Sequence, residues 1–269
     1  MSHQLWGPFH LMPNCRLWVA EDRTCNDATE SAQDQRLAET LLTNRDRDRW
    51  NRYRPLEKKR QFLSSRLVIR AVLNCEFGAN SANLFVDTME SGRPMLVDSQ
   101  GRRVASISLS HTGNMTTIAL SDIRYDLGVD IEPVQQMNAR AFGLSFINRF
   151  EYDQLMQEGL TEDPHAMLAI WTLKEAFWKA LGGPQDTALG DIVIEYRNAI
   201  LNTDVACMTC KGKPLATQFF GHGFSFPGEL RNYSSLNVPE SEISAFVGCV
   251  VLVDTELAEN HENVQRQPF

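Results

Sequence analysis

Helical and strand-like periodicities follow one another irregularly along this chain, without a repeating β-α-β pattern. Successive parallel strands need a helical crossover between them, so the irregular order disfavours a doubly wound parallel sheet. Alternating apolar positions predict strands over residues 105–110, 116–120 and 127–132. Helical spacing predicts helices over 56–73 and 164–181, each opened by a proline. We therefore expect an α+β fold.

The first two of these strands are expected to pair as a hairpin, with His111 in the loop that joins them. A further helix is expected over 138–159, broken near Gly143. The first 43 residues show little periodicity beyond a strand-like run at 15–20. The sequence therefore assigns no role to the N-terminal segment.

Composition excludes several classes of protein. The 269 residues are 43% hydrophobic and 22% charged, which suits one large domain or two smaller ones with a sizeable core. The net charge of −8 disfavours a protein that coats nucleic acid, so no nucleic-acid partner is expected. No apolar run reaches the roughly 18 residues of a transmembrane helix, and no secretory signal is visible. With six scattered cysteines, we expect a cytoplasmic protein without a membrane partner.

One segment departs from the overall acidity. Residues 44–60 carry eight basic side chains against three acidic ones, a local excess of five positive charges. A solvated helix face is the ordinary explanation of such a run. The contrast with the negative chain modestly favours an anion-binding patch instead.

The pentapeptide Gly128–Glu132 places two carboxylates close together. In a strand, Asp130 and Glu132 project from one face, while Val129 and Ile131 point into the core. Adjacent carboxylates repel each other unless a cation lies between them, and Mg²⁺ or Mn²⁺ prefers oxygen ligands. A strand with a solvated acidic face explains the pentapeptide equally well.

The helix over 164–181 carries a polar face opposite its apolar stripe. Trp171, Glu175 and Lys179 lie within about 80° of each other on that face. Glu175 and Lys179 form either an ordinary surface pair or a third carboxylate with an ammonium that binds phosphate. The helix alone leaves both interpretations open.

His111 lies between Ser110 and Thr112. A single histidine is more often structural than catalytic. Flanked by hydroxyl groups, it could also hold a phosphate oxygen.

The order of these motifs is more specific than any one of them, and it resembles the 4′-phosphopantetheinyl transferase family in its longer monomeric form. The resemblance runs from about Leu41 to Leu252. One departure is Arg93, where the family usually has lysine. The matching segments are Arg60–Arg70, Ser91–Pro94, Ser108–Thr112, Gly128–Glu132, Phe146–Tyr152 and Trp171–Lys179.

The resemblance implies a pseudo-dimer of two similar α+β halves, with coenzyme A bound in the cleft between them. The halves are expected at about 1–122 and 123–269, with the last fifteen or so residues frayed. The first half would supply the basic helix and the histidine, and the second the carboxylates. A monomer is the family expectation.

The family reaction transfers phosphopantetheine from coenzyme A to a serine of an apo acyl- or peptidyl-carrier protein. Such proteins serve fatty-acid, polyketide and nonribosomal-peptide synthesis, and adenosine 3′,5′-bisphosphate is released. The resemblance implies Mg²⁺, with Mn²⁺ as a substitute, held by Asp130, Glu132 and Glu175. Asp130 would act in catalysis as a metal ligand, and Lys179 by stabilising the charge that develops on the phosphates. Glu175 is expected to be the general base, with Glu151 or a metal-bound water as the alternative.

Several side chains are expected to bind coenzyme A, mostly through its phosphates. Arg60 and either Arg47 or Arg49 would lie near the nucleotide. The expected phosphate-binding set is Arg93, Ser110, His111, Lys174 and Lys179.

The sequence leaves two alternative functions open. A non-catalytic module of the same fold would bind coenzyme A or carrier without turnover, but it would be free to lose a carboxylate or Lys179. An unrelated Mg²⁺-dependent phosphohydrolase would use the same carboxylates, but no further aspartate cluster or nucleophile motif accompanies them.

Overall fold

The fold is seen in a computed structural model. It describes residues 3–22, 32–89, 92–135, 138–184, 186–196, 205–210, 213–214, 219–226 and 246–254. Ser91 and the C-terminal residues expected to fray lie outside the described residues. None of the helices in the described ranges combines the length and apolar character that crossing a bilayer requires.

The first half contains one antiparallel sheet of six strands in the order β1-β2-β6-β5-β4-β3. Three helices and a short 3₁₀ turn at Gly78–Asn83 interrupt the strands. The elements are β1 His3–Met12, β2 Cys15–Asp22, α1 Ala32–Leu41, α2 Asn44–Arg52, α3 Leu56–Phe77, β3 Leu84–Thr88, β4 Pro94–Asp98, β5 Arg103–Thr112 and β6 Met115–Ser121.

The second half contains two sheets of three strands each, in the orders β11-β12-β7 and β10-β9-β8. The expected α+β class is confirmed. The elements are β7 Tyr125–Pro133, α4 Ala139–Gly143, α5 Arg149–Glu158, α6 Pro164–Ala180, β8 Ile192–Tyr196, β9 Val205–Cys210, β10 Lys213–Pro214, β11 Phe219–Phe226 and β12 Phe246–Asp254.

Each half packs one long helix against its sheet. Helix α3 follows Pro55, ends at Gly78, and buries apolar residues such as Val72 against the six-stranded sheet. Helix α6 begins after Asp163, whose carboxylate accepts from the amides of the first turn, and packs on β7 and β12. Since each helix buries one apolar stripe, its opposite face is free to line a site.

The two halves meet where β5 packs across β7. Alternate residues of β5 carry hydroxyls, and these form hydrogen bonds along β7 from Tyr125 to Glu132. Ser106 donates to the Tyr125 carbonyl, the Val129 amide donates to Ser108, and Ser110 and Thr112 donate to the Asp130 and Glu132 carboxylates. We call this row, Ser106, Ser108, Ser110 and Thr112, the hydroxyl ladder. Because these side chains repeat every second residue, they share one face of β5.

Two sequence-based expectations were wrong. His111 does not lie in the hairpin loop, because β5 continues to Thr112 and only Gly113 and Asn114 form the turn. The first 43 residues also contain regular structure, the strand β1 and helix α1. Gly7 and Pro8 interrupt the strand pattern of β1, and the polar composition of α1 hides its helical period.

The close packing of α6 on β7 requires a glycine at position 128. A Cβ atom built on Gly128 would lie 1.7 Å from the Ala176 carbonyl oxygen, so any side chain forces the helix away from the strand. We expect Gly128→Ala to lower the free energy of unfolding by about 2–3 kcal/mol or more, measured by urea denaturation. Gly190→Ala is the matched control, since a Cβ atom built on Gly190 would lie 3.9 Å from its nearest neighbour, the Phe146 carbonyl oxygen. Equal stability of both variants would contradict the close approach.

Candidate active site

A cleft of about 680 Å³ opens between the two halves. Its walls come from α2, α3, β5 and the β3–β4 hairpin on one side, and from the end of α6 with Gly182 and Gly183 on the other. Six cationic or imidazole side chains line it: Arg49, Lys58, Arg66, Arg93, His111 and Lys179. In a chain of net charge −8, this concentration of positive charge indicates an anionic ligand.

A partly buried ion pair lies at the side of the cleft formed by the second half. The Lys179 ammonium donates to Asp130 Oδ1 at 2.7 Å, and also to the Ser110 hydroxyl and the Val129 carbonyl. Ser110 in turn donates to the same Asp130 oxygen at 2.7 Å. Asp130 is only 4% exposed, so its charge depends on these partners. Lys179 of α6 and Asp130 of β7 therefore lie side by side.

The three expected metal ligands influence one another electrostatically. Burial, followed by the charge of Asp130, raises the pKa of both Glu132 and Glu175. The second Asp130 oxygen, Oδ2, is buried with no hydrogen-bond partner among the described residues. Excess negative charge beside an unpartnered carboxylate oxygen suits a hard divalent cation.

The chemistry of these donors therefore fits a metal, but their arrangement does not form a complete site. Within the described ranges, no three histidine, cysteine, aspartate or glutamate side chains are gathered closely enough to hold an ion. Asp130 also shares one of its oxygens with Lys179. The ligand set Asp130, Glu132 and Glu175 stays a prediction.

His111 faces the cleft from β5. Burial and then the nearby charges of Lys179 and Lys58 lower the pKa of its imidazole, against the opposing effect of Asp130. The positive charges of Lys179 and Lys58 thus both act on the imidazole. A bound anion would relieve this repulsion and favour the protonated imidazole.

The wall formed by the first half combines cations with aromatic rings. The Arg66 guanidinium lies 4.5 Å from the Phe62 ring centroid and is held by Asp46, while Arg49 and Tyr53 flank the same ring. Sequence analysis missed most of this wall. A signal was available, since Lys58, Gln61, Phe62, Ser65 and Arg66 have the i, i+3, i+4, i+7, i+8 spacing of one helical face.

Two expected coenzyme A ligands do not line the cleft. Arg60 pairs with Asp34 at 3.0 Å, on a different face of α3 from Lys58. Arg47 hydrogen-bonds Asn44 and the Glu39 carbonyl. Of the alternatives considered for the basic helix, the structure places Arg49 at the cleft and leaves Arg47 and Arg60 outside it.

The expectation that Lys174 binds coenzyme A and that Glu151 acts in catalysis needs correction. Both side chains are fully buried and pair at 2.7 Å, and Lys174 also donates to the Phe146 carbonyl. Glu151 accepts from the amides of Asn148 and Ile194. Burial raises the pKa of Glu151 and lowers that of Lys174. The pair fixes α5, α6 and β8 together and exposes no group to the cleft.

Comparison with known protein families finds one match in each half of the chain. Residues 29–122 match the family described as 4′-phosphopantetheinyl transferase, N-terminal, and residues 126–222 match the 4′-phosphopantetheinyl transferase superfamily. The chain belongs to this superfamily. The two matches meet between β6 and β7, at the boundary of the two halves.

Three relatives illustrate the similarity. A Synechocystis protein named as a candidate 4′-phosphopantetheinyl transferase is 31% identical over 58% of this chain and 63% of its own length. The transferase HetI of Nostoc is 29% identical over 58% of this chain and 65% of its own. The transferase Sfp of Bacillus subtilis is 22% identical over 53% and 61%. The matched part thus spans less than two thirds of each relative.

The structural role of the buried Lys174–Glu151 pair can be tested by stability measurements. Lys174→Met leaves the Glu151 carboxylate buried without its cation, so we expect the free energy of unfolding to fall by about 3–5 kcal/mol in urea denaturation. The double variant Lys174→Met with Glu151→Leu removes both charges and should recover part of that loss. A single variant of unchanged stability would refute the buried pair.

Proposed function

We propose that this protein transfers the 4′-phosphopantetheine group of coenzyme A to a serine hydroxyl of an apo acyl- or peptidyl-carrier protein. The reaction is of the holo-acyl-carrier-protein synthase type and depends on Mg²⁺. The observation that carries the proposal is the partly buried Asp130–Lys179–Ser110 cluster beside a basic cleft, in a chain of this superfamily. Coenzyme A bears a pyrophosphate and a 3′-phosphate, which match the cations of the cleft.

The reaction is a displacement at phosphorus. The serine oxygen of the carrier forms a bond to the phosphorus that bears pantetheine, and the bond from that phosphorus to the bridging pyrophosphate oxygen breaks. Adenosine 3′,5′-bisphosphate leaves with the bridging oxygen. The proton of the serine passes to a base of the protein.

Lys179 and His111 are the groups best placed for the pyrophosphate. The bonds to Asp130 and Val129 fix the Lys179 ammonium, so its charge is oriented before the ligand arrives. Lys58 adds a second ammonium near His111. Arg49 and Arg66, on the wall formed by the first half, suit the nucleotide phosphate.

The carboxylates serve two purposes, metal binding and acceptance of the serine proton, and Glu175 contributes to both. Asp130, Glu132 and Glu175 would hold Mg²⁺, which when bound neutralises pyrophosphate charge and polarises phosphorus. Glu175 is half-buried, and burial followed by the charge of Asp130 raises its pKa. We assign it the serine proton. Glu151 is left out of this proposal because its oxygens are already bonded in the core.

The first test is the mass of an apo-carrier protein after incubation with this protein, coenzyme A and Mg²⁺. We expect a gain of one phosphopantetheine that disappears with EDTA. Asp130→Asn should reduce the transfer rate at least a hundredfold, because Lys179 loses its charged partner and the metal set loses a ligand. The exposed-turn variant Asp98→Asn is the control. Release of adenosine 3′,5′-bisphosphate without carrier would indicate a hydrolase, and coenzyme A binding without turnover a binding module.

The role of His111 can be tested by binding alone. His111→Ala removes a donor to phosphate, so we expect the Kd for coenzyme A in calorimetry to rise about tenfold, the equivalent of ~1.4 kcal/mol. His165→Ala, at an exposed position near the start of α6, is the matched control. An unchanged Kd in the His111 variant would mean that the imidazole is structural.

A further inference from the structure

Arg93 connects the first half to both elements that carry the central ion pair. It lies between β3 and β4, directly after Gly92, whose φ is 89°. Its guanidinium pairs with the Asp126 carboxylate on β7 and donates to the Ala180 carbonyl at 2.6 Å, at the end of α6. The Arg93 side chain is only 13% exposed, so these bonds form largely out of solvent.

Both partners of Arg93 are adjacent to the site. Ala180 follows Lys179 directly, and its carbonyl is one of the helix-end acceptors that lack a partner within α6. A cation there also interacts favourably with the helix dipole. Asp126 lies four residues before Asp130 and on the same face of β7. One guanidinium therefore links the strand that carries Asp130 to the helix that carries Lys179.

Both bonds come from one nitrogen of the guanidinium, Nη1. This nitrogen lies one covalent bond farther from Cα than a lysine ammonium would, so lysine at position 93 would reach both partners only if the backbone moved. A second guanidinium reinforces the same acid, since Arg103 lies 3.6 Å from the other Asp126 oxygen. The expectation that Arg93 chiefly grips coenzyme A does not account for these bonds.

We propose that Arg93 is a positioning residue, a clasp that fixes the last turn of α6 against β7 and so holds Lys179 at Asp130. The inference deepens the proposed function and rests on it for its kinetic consequences. As a clasp, Arg93 acts through Lys179, and phosphate binding by Arg93 itself contributes little. The two roles predict different behaviour of the Arg93→Lys and Asp126→Asn variants.

The first measurement does not depend on transfer. Amide hydrogen exchange is followed at Leu181, Gly182 and Gly183, whose amides bond to carbonyls of the last turn of α6. We expect exchange to accelerate at least tenfold in both variants, while the stability of the whole protein to urea is followed in parallel. The surface pair supplies the controls Arg102→Lys and Asp98→Asn, which should leave exchange at α6 unchanged.

The second measurement separates the clasp from a phosphate ligand. With apo-carrier in excess, we expect kcat to fall about tenfold in both variants, and the Kd for coenzyme A in calorimetry to change by the same factor in both, because both act through Lys179. The double variant should be no slower than either single one, because both remove the same link.

Unchanged exchange at α6 in both variants would overturn the proposal. So would a tenfold rise of Kd in Arg93→Lys beside a normal Asp126→Asn, which is the behaviour of a direct phosphate ligand. If Arg93→Lys fails to fold, Asp126→Asn and Asp126→Glu decide the question, with the glutamate variant expected to restore slow exchange in part. Absence of transfer in the unmodified protein would refute the proposed function and leave the exchange measurement valid.

Discussion

The contact between β5 and β7 is the constraint on which the rest of the molecule depends. An apolar core shared by the two halves lies beside this contact, and it includes Leu17 and Ala119 of the first half with Val129 and Val250 of the second. Over this core, the hydroxyl ladder satisfies polar groups of β7 that would otherwise be buried without partners. An unpaired buried polar group costs about 1–3 kcal/mol, so the ladder sets the register of the halves as well as joining them.

The site is a consequence of that register. Ser110 belongs to the ladder and also bonds the Asp130 oxygen that Lys179 shares, so the junction of the halves and the charge cluster are one network. The close approach at Gly128 brings α6 near enough for Lys179 to reach β7. Low dielectric around Asp130 strengthens these bonds and makes their loss costly.

Sequence patterns predicted the elements of the second half well, because the strand and helix periods are strong at β7 and α6 and their face residues are adjacent in the motif. They did not separate binding residues from structural ones. Lys174 lies about 40° from the buried Ile170 on the helix, so its burial was open to prediction from spacing. The partners Asp126 and Ala180 of Arg93 could not be predicted, because those contacts span the chain and depend on how the two halves dock.

The central claim is that the basic cleft between the halves binds coenzyme A beside the Asp130–Lys179 pair. A crystal structure with coenzyme A and Mg²⁺ tests it most directly. The account predicts the pyrophosphate within hydrogen-bond distance of Lys179 and His111, with the nucleotide phosphate against Arg66. Coenzyme A bound outside this cleft, or a pyrophosphate that contacts neither Lys179 nor His111, would contradict it.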